Sequence, residues 1–235
     1  KFIMKISRYC DYIIVGLLII VTFAVPVFFD IRLYSVFDLS KVIAMIFPGL
    51  FIMAVWLIKI IFKEKFEFPH TPLNLPVLAY ISITIIALIF SINPYMSLTG
   101  GYKRFEGLIE TCTYIFLFFA IVRFINTESK LNLLINTIVI TAVVTSIYGF
   151  MQYFGKDPYV WSSNNIERIF STFGNPVFYS AYLITSLPLS LALYLGYKAP
   201  AGKTSGVPFY HRRIWKDIAY GICTLLIYTI FWHTK

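Results

Sequence analysis

Long apolar stretches alternate with short polar connections along the whole chain. A helix needs about 20 apolar residues to cross about 30 Å of hydrocarbon, and each stretch approaches that length. None is a segment of about ten residues with alternating polarity, as a membrane β-barrel would require. The pattern therefore predicts an all-α, polytopic membrane protein with about seven transmembrane helices, at residues 12–29, 42–62, 75–92, 107–125, 132–154, 176–197 and 218–232.

Composition supports this class of protein. Hydrophobic residues make up 59% of the chain, charged residues make up 13%, and the mean hydropathy is +0.77. A soluble domain has a far lower apolar fraction. The formal net charge of +9 would suggest nucleic acid as the partner of a soluble protein. In a membrane protein the position of each Lys and Arg relative to the spans matters more, so we expect membrane lipids and no nucleic acid as partners.

The distribution of Lys and Arg predicts the orientation of the chain. Thirteen of the 20 basic residues fall in the N-terminal segment and in alternate connections, and seven fall on the other side. The positive-inside rule places the thirteen, and the N-terminus, in the cytoplasm. The chain starts with Lys and its last apolar stretch is short, so we interpret residues 1–235 as a single transmembrane helical domain, the N-terminal part of a longer protein.

Two connections on the side that is poor in basic residues nevertheless carry basic residues. "GGYKRFEG" holds Lys103 and Arg104, and "ERIFSTFGNP" holds Arg168. One interpretation is that these side chains bind an anion. The other is that they form surface ion pairs of little energetic value, Arg104 with Glu106 or Glu110 and Arg168 with Glu167 or Asp157. The Gly100-Gly101 pair could likewise form an anion-binding nest of backbone N–H groups or a simple turn.

The same two connections carry a family resemblance. "SINPYMSLTGGYKRFEGL" and "RIFSTFGNPVFYSAYL" resemble segments of the superfamily that contains O-antigen ligases, Wzy-type O-antigen polymerases and O-linked protein oligosaccharyltransferases. The second segment is the more specific: Arg168, Gly174, Asn175 and Pro176 match the family pattern, whereas Val177 stands where relatives often have Asn.

This resemblance implies a GT-C-like glycosyltransferase of the bacterial inner membrane, metal-independent and without a cofactor. It implies transfer of a glycan from an undecaprenyl-pyrophosphate-linked donor at the periplasmic face, to an acceptor hydroxyl on lipid A core, another glycan or a protein. In the family, outer arginines contact the donor pyrophosphate. The implied substrate-binding residues are Arg168, Arg104, Lys103, Asn175 and Gly174. The family's catalytic His comes from a later periplasmic loop, so we expect the general base to lie outside this chain.

Two other classes of function stay open. A polysaccharide or lipid transporter would place ionisable residues near the middle of its spans, and the predicted spans carry theirs near the ends. A non-catalytic membrane scaffold is also consistent with a chain that lacks a general base. His70, His211 and His233, like the three cysteines, are scattered without the spacing of a metal site.

Overall fold

The computed structural model describes residues 2–62, 69–102, 104–161, 168–195 and 214–234. Within these ranges every regular element is a helix, and no strand occurs. Each of the seven predicted apolar stretches coincides with a long helix, while the short helix α4 and a 3-10 turn at Ser171–Phe173 were not predicted. The helices are α1 Phe2–Val27, α2 Asp38–Phe62, α3 Asn74–Ile89, α4 Pro94–Thr99, α5 Leu108–Phe124, α6 Glu128–Tyr153, α7 Pro176–Tyr194 and α8 Ile214–His233.

Among the described residues, four helices are long and apolar enough to cross a membrane, which is compatible with a multi-pass membrane protein. The prediction of seven full spans is not confirmed. With 16 residues, α3 is only about 24 Å long at the rise of an α-helix. The part of α8 whose side chains are described, Tyr220–His233, is apolar but shorter than a full span, and the 17 residues of α5 include Glu110 and Arg123. The four helical segments that meet the length are Ser7–Val27, Asp38–Phe62, Glu128–Tyr153 and Pro176–Tyr194.

The chain divides into two compact units, Lys1–Lys130 and Leu131–Lys235. In the first unit, α1, α2 and α5 surround a core in which Ile14, Ile52 and Ala120 are completely buried. Lys41 fixes the turn between α1 and α2, because its ammonium group donates to the carbonyl oxygens of Val25 and Pro26. Those carbonyls belong to the last turn of α1, where a cation is favourable.

An ion pair joins α1 and α2 near the other end of the same core. The Lys59 ammonium contacts the Asp11 carboxylate and lies over the ring of Phe124 from α5, 5.0 Å from its centroid. The Lys59 side chain is 10% exposed and that of Asp11 is 35% exposed. One residue from each of the three core helices thus contributes to a single charged contact.

In the second unit, α6, α7 and α8 surround Ala142, Tyr179, Leu183 and Ile227, all completely buried. The face of α6 that packs there also carries buried threonines and serines. The hydroxyl groups of the threonines donate to carbonyls of the preceding turn, for example from Thr141 to Thr137 at 2.6 Å, which satisfies these polar groups in a low-dielectric core.

Candidate functional site

Arg168 lies in the connection between α6 and α7, in the second unit. Its Nε and Nη2 atoms donate to the carbonyl oxygen of Thr234, at 3.1 and 2.7 Å. The residue as a whole is exposed, while Ile169 beside it is 3% exposed. The carbonyl is a neutral acceptor, so it orients the guanidinium without neutralising its charge. It takes two of the five N–H groups that an arginine carries.

The proposed ion pair between Arg168 and Asp157 does not form, because Asp157 is occupied by other donors. They are the Tyr148 hydroxyl at 3.0 Å, the Gln152 amide at 3.1 Å, the backbone N–H of Tyr159 at 3.0 Å and the Trp161 indole at 2.7 Å. Partial burial raises the pKa of this carboxyl, but the hydrogen bonds outweigh burial and hold the pKa below its usual value. Asp157 is therefore ionised, and its carboxylate holds the start of the connection between α6 and α7 in place through these hydrogen bonds. The other partner considered, Glu167, lies outside the described residues.

The backbone that follows Arg168 is held against α6. The Gln152 side chain accepts from the Ser171 backbone N–H at 2.7 Å and reaches the Ser171 carbonyl at 3.5 Å. The Ser171 hydroxyl donates to the carbonyl of Thr145 at 2.6 Å. Ser171 has a φ of 49°, which is uncommon outside glycine and requires such support from its surroundings.

The start of α7 at Pro176 agrees with the predicted start of an apolar stretch at residue 176. Gly174 has a φ of 70° and ends the 3-10 turn in the left-handed conformation that favours glycine. The Asn175 side chain accepts from the Val177 N–H at 2.8 Å as the helix cap, with Pro176 in the first turn. Arg168, Gly174 and Asn175 thus lie on one connection, which opens a helix whose first N–H groups carry partial positive charge.

Arg104 lies in the first unit, in the connection between α4 and α5, and its neighbour Lys103 lies outside the described residues. The backbone N–H groups of Arg104 and Phe105 both donate to the Gly101 carbonyl at 3.0 Å, which makes a tight turn. Arg104 is exposed at this turn. The Gly100 N–H donates to the Met96 carbonyl oxygen at 2.8 Å, so this N–H group is not free to join an anion-binding nest.

Glu110 is one of the two carboxylates considered as ion-pair partners of Arg104, and its carboxyl group is hydrogen-bonded to another residue. One of its oxygens, Oε1, accepts from the Tyr114 hydroxyl at 2.7 Å, and the other is buried with no hydrogen-bond partner among the described residues. Glu110 is 7% exposed, whereas Arg104 is exposed. The described contacts of the two residues therefore do not include the proposed ion pair.

Two glycines close the base of the Arg104 connection by direct backbone contact. A Cβ on Gly107 would lie 2.4 Å from both the Gly100 nitrogen and the Leu98 carbonyl oxygen. A Cβ on Gly100 would lie 2.2 Å from the carbonyl carbon of Phe105, and the φ of Gly100 is 88°. No side chain fits at either position without moving backbone.

Gly107→Ala and Gly100→Ala are therefore each expected to destabilise the protein by about 1–3 kcal/mol. Gly101→Ala is the matched control, since a Cβ there meets nothing within 4 Å. Thermal unfolding of the purified protein in detergent measures all three. An unfolding temperature for Gly107→Ala equal to that of the control would contradict the backbone contact.

Sequence reasoning missed the residues that hold these connections in place, Gln152 and Asp157 above all. No local pattern marks them, because Gln152 ends an apolar helix and its partner Ser171 is 19 residues away. Within the described residues no three His, Cys, Asp or Glu side chains come close enough to hold a metal ion. Arginine side chains and the start of a helix, the groups found in these connections, are groups that can bind an anion.

Comparison of the chain with protein-family models, with curated proteins and with solved structures found no match.

Proposed function

We propose that this protein belongs with the O-antigen ligases and polymerases and transfers a glycan from an undecaprenyl-pyrophosphate-linked donor to an acceptor hydroxyl. In this proposal Arg168 binds the pyrophosphate, with Gly174 and Asn175 on the same connection of the second unit. Arg104 and Lys103, on a connection of the first unit, are the other proposed substrate-binding residues. The observation that carries it is the state of Arg168: an exposed guanidinium oriented by a neutral carbonyl, on a connection that leads into a capped helix.

The chemistry explains why an arginine suits this position. Breaking the glycosidic bond leaves a multiply charged pyrophosphate at the boundary between water and bilayer, where uncompensated charge is expensive. A guanidinium forms paired hydrogen bonds with phosphate oxygens and keeps its proton. The start of α7 adds N–H groups and partial positive charge on the same connection.

We place the protein in the bacterial inner membrane, with the N-terminus in the cytoplasm and the connections of Arg104 and Arg168 facing the periplasm. The basis is the distribution of basic residues, thirteen on one side and seven on the other. We assign no described residue as the general base or as part of the acceptor site. The acceptor is a lipid A core, another glycan or a protein hydroxyl.

Cysteine labelling tests this orientation. Val160→Cys, at a position 97% exposed, is expected to react with a membrane-impermeant thiol reagent added to whole cells. Ser129→Cys, exposed at the start of α6, is expected to react only after the membrane is permeabilised. Both are made after replacement of Cys10, Cys112 and Cys223 by serine. The reverse pattern of labelling would place both arginines in the cytoplasm and remove the proposed active-site face.

Arg104→Lys is expected to lower the glycan-transfer rate about tenfold despite keeping the charge, because an ammonium cannot reproduce paired hydrogen bonds. Arg32→Lys, an exposed arginine of the α1–α2 connection, is the control and should leave the rate unchanged. The measurement is transfer from the lipid-linked donor at equal protein level in the membrane. Full activity of Arg104→Ala would show that Arg104 is an ordinary surface charge.

Identification of the lipid-linked species that accumulates when the gene is deleted tests the function as a whole. A transferase predicts accumulation of the undecaprenyl-pyrophosphate-linked glycan on the periplasmic side. A transporter or flippase, the alternative, predicts accumulation of its cargo on the cytoplasmic side. No accumulation in either place would remove both assignments.

A further inference from the structure

Gln152 joins two separate parts of the connection between α6 and α7. Its amide nitrogen donates to Asp157 at 3.1 Å, and its amide oxygen accepts from the Ser171 N–H at 2.7 Å. Gln152 is 7% exposed and Ser171 is completely buried. One side chain at the end of α6 therefore connects the segment that carries Asp157 to the segment that carries Arg168.

The contact fixes the backbone close to Arg168. Ser171 is three residues further along, and between them Ile169 packs over Gly149 of α6, with a Cβ on that glycine lying 3.2 Å from the Ile169 side chain. Ser171 has the unfavourable φ of 49°, a conformation that persists only where neighbouring contacts impose it. Loss of the Gln152 contact allows this segment to relax, and the base of the Arg168 side chain moves with it.

The two hydrogen bonds made by the Gln152 side chain suit an amide group. The same side chain must accept from a backbone N–H and donate to a carboxylate, and the amide of Gln152 does both from two separate atoms without carrying a charge. A carboxylate in place of Gln152 could still accept from Ser171, but it would place negative charge against Asp157 in a partly buried site, which is unfavourable.

We propose that Gln152 is a positioning residue for the pyrophosphate-binding Arg168. It acts by imposing the backbone conformation of Ser171 and by joining that segment to Asp157. This inference rests on the proposed function, because it assigns Gln152 to the step that Arg168 serves. It differs from a purely structural role in its kinetic signature. A displaced Arg168 weakens stabilisation of the leaving group, which lowers kcat more than it raises KM.

Gln152→Glu in the full-length protein tests the proposal. The expected result is a kcat for glycan transfer reduced about tenfold or more, with KM for the lipid-linked donor within about threefold of the parent. Gln152→Met removes both hydrogen bonds without adding charge, and it should also lower kcat. It replaces Gln152→Glu as the test if that variant fails to accumulate in the membrane.

Asn136→Asp is the matched control. It makes the same change from amide to carboxylate on the same helix, at a residue that accepts from the Tyr220 hydroxyl and does not touch the connection. Its kcat should equal that of the parent. Hydrogen exchange at the Ser171 N–H, measured in parallel, should be faster in the Gln152 variants and unchanged in the control.

The outcomes separate the two assignments. If the parent transfers glycan and both Gln152 variants keep a kcat within about twofold of it, the positioning role is wrong while the proposed function stands. A loss of protein level in both Gln152 variants, or a rise in KM without a fall in kcat, would also overturn it, because either result would indicate a purely structural role. If the parent itself transfers no glycan, the proposed function fails and the inference fails with it.

Discussion

Arg168→Ala in the full-length protein is expected to insert normally and to transfer glycan about a hundredfold to a thousandfold more slowly, with the donor lipid accumulating. The reason is that the guanidinium would stabilise charge that develops on the pyrophosphate as the bond breaks. A contact that strengthens in the transition state contributes a few kcal/mol to the rate. The measurement is turnover of the lipid-linked donor at matched protein level.

Two further variants separate the charge of Arg168 from its hydrogen bonds to Thr234. Arg168→Gln retains an amide that can donate to the Thr234 carbonyl but carries no charge, so its activity should be as low as that of alanine. Arg168→Lys keeps the charge and loses the paired geometry, so its activity should be intermediate. Arg32→Ala, an exposed arginine of the α1–α2 connection, should resemble the parent.

A transfer rate for Arg168→Ala within a few-fold of the parent would remove this residue from the site. An active Arg168→Gln beside an inactive Arg168→Ala would mean that the arginine serves only to hold Thr234. Either result would leave the family resemblance without the residue that carries its chemistry.

The positions of the long helices could be predicted because hydrophobicity is a local property of the sequence. Their ends were less accurate: α1 begins at Phe2, ten residues before the predicted start, because basic and polar residues continue the helix beyond its apolar part. The short α4 depends on capping by Asn93 rather than on an apolar run. Hydropathy also overestimated the length of α3, which ends at Ile89 before the "SINP" sequence.

The start of α7 was predicted because Gly-Asn-Pro determines its geometry within three residues. The hydrogen-bond partner of Arg168 was not predicted. Thr234 is 66 residues away, and it offers a backbone carbonyl that any residue could supply. The same holds for the contact of Gln152 with Ser171 across 19 residues. Such contacts depend on how helices pack, and a single sequence carries no periodic signal for them.

The ion pair between Asp11 and Lys59 was missed for the same reason, since the two residues are 48 positions apart. Lys59→Ala is expected to destabilise the protein by about 3 kcal/mol, because it leaves the Asp11 carboxylate unpaired between helices. The partial exposure of Asp11, 35%, places the loss at the lower end of the range for buried pairs. Thermal unfolding in detergent measures this loss of stability, and the protein level in the membrane provides a second readout.

Replacing both partners should cost less than replacing one. Lys59→Met with Asp11→Leu removes the charges together and fills the space with apolar side chains, so most of the lost stability should return. Lys156→Ala, an exposed lysine of the α6–α7 connection, should change stability by less than about 0.5 kcal/mol. If Lys59→Ala is as stable as Lys156→Ala, the pair contributes nothing to the first unit. If the double variant is less stable than Lys59→Ala, the apolar side chains do not replace the packing and charge of the pair, and the expected recovery is wrong.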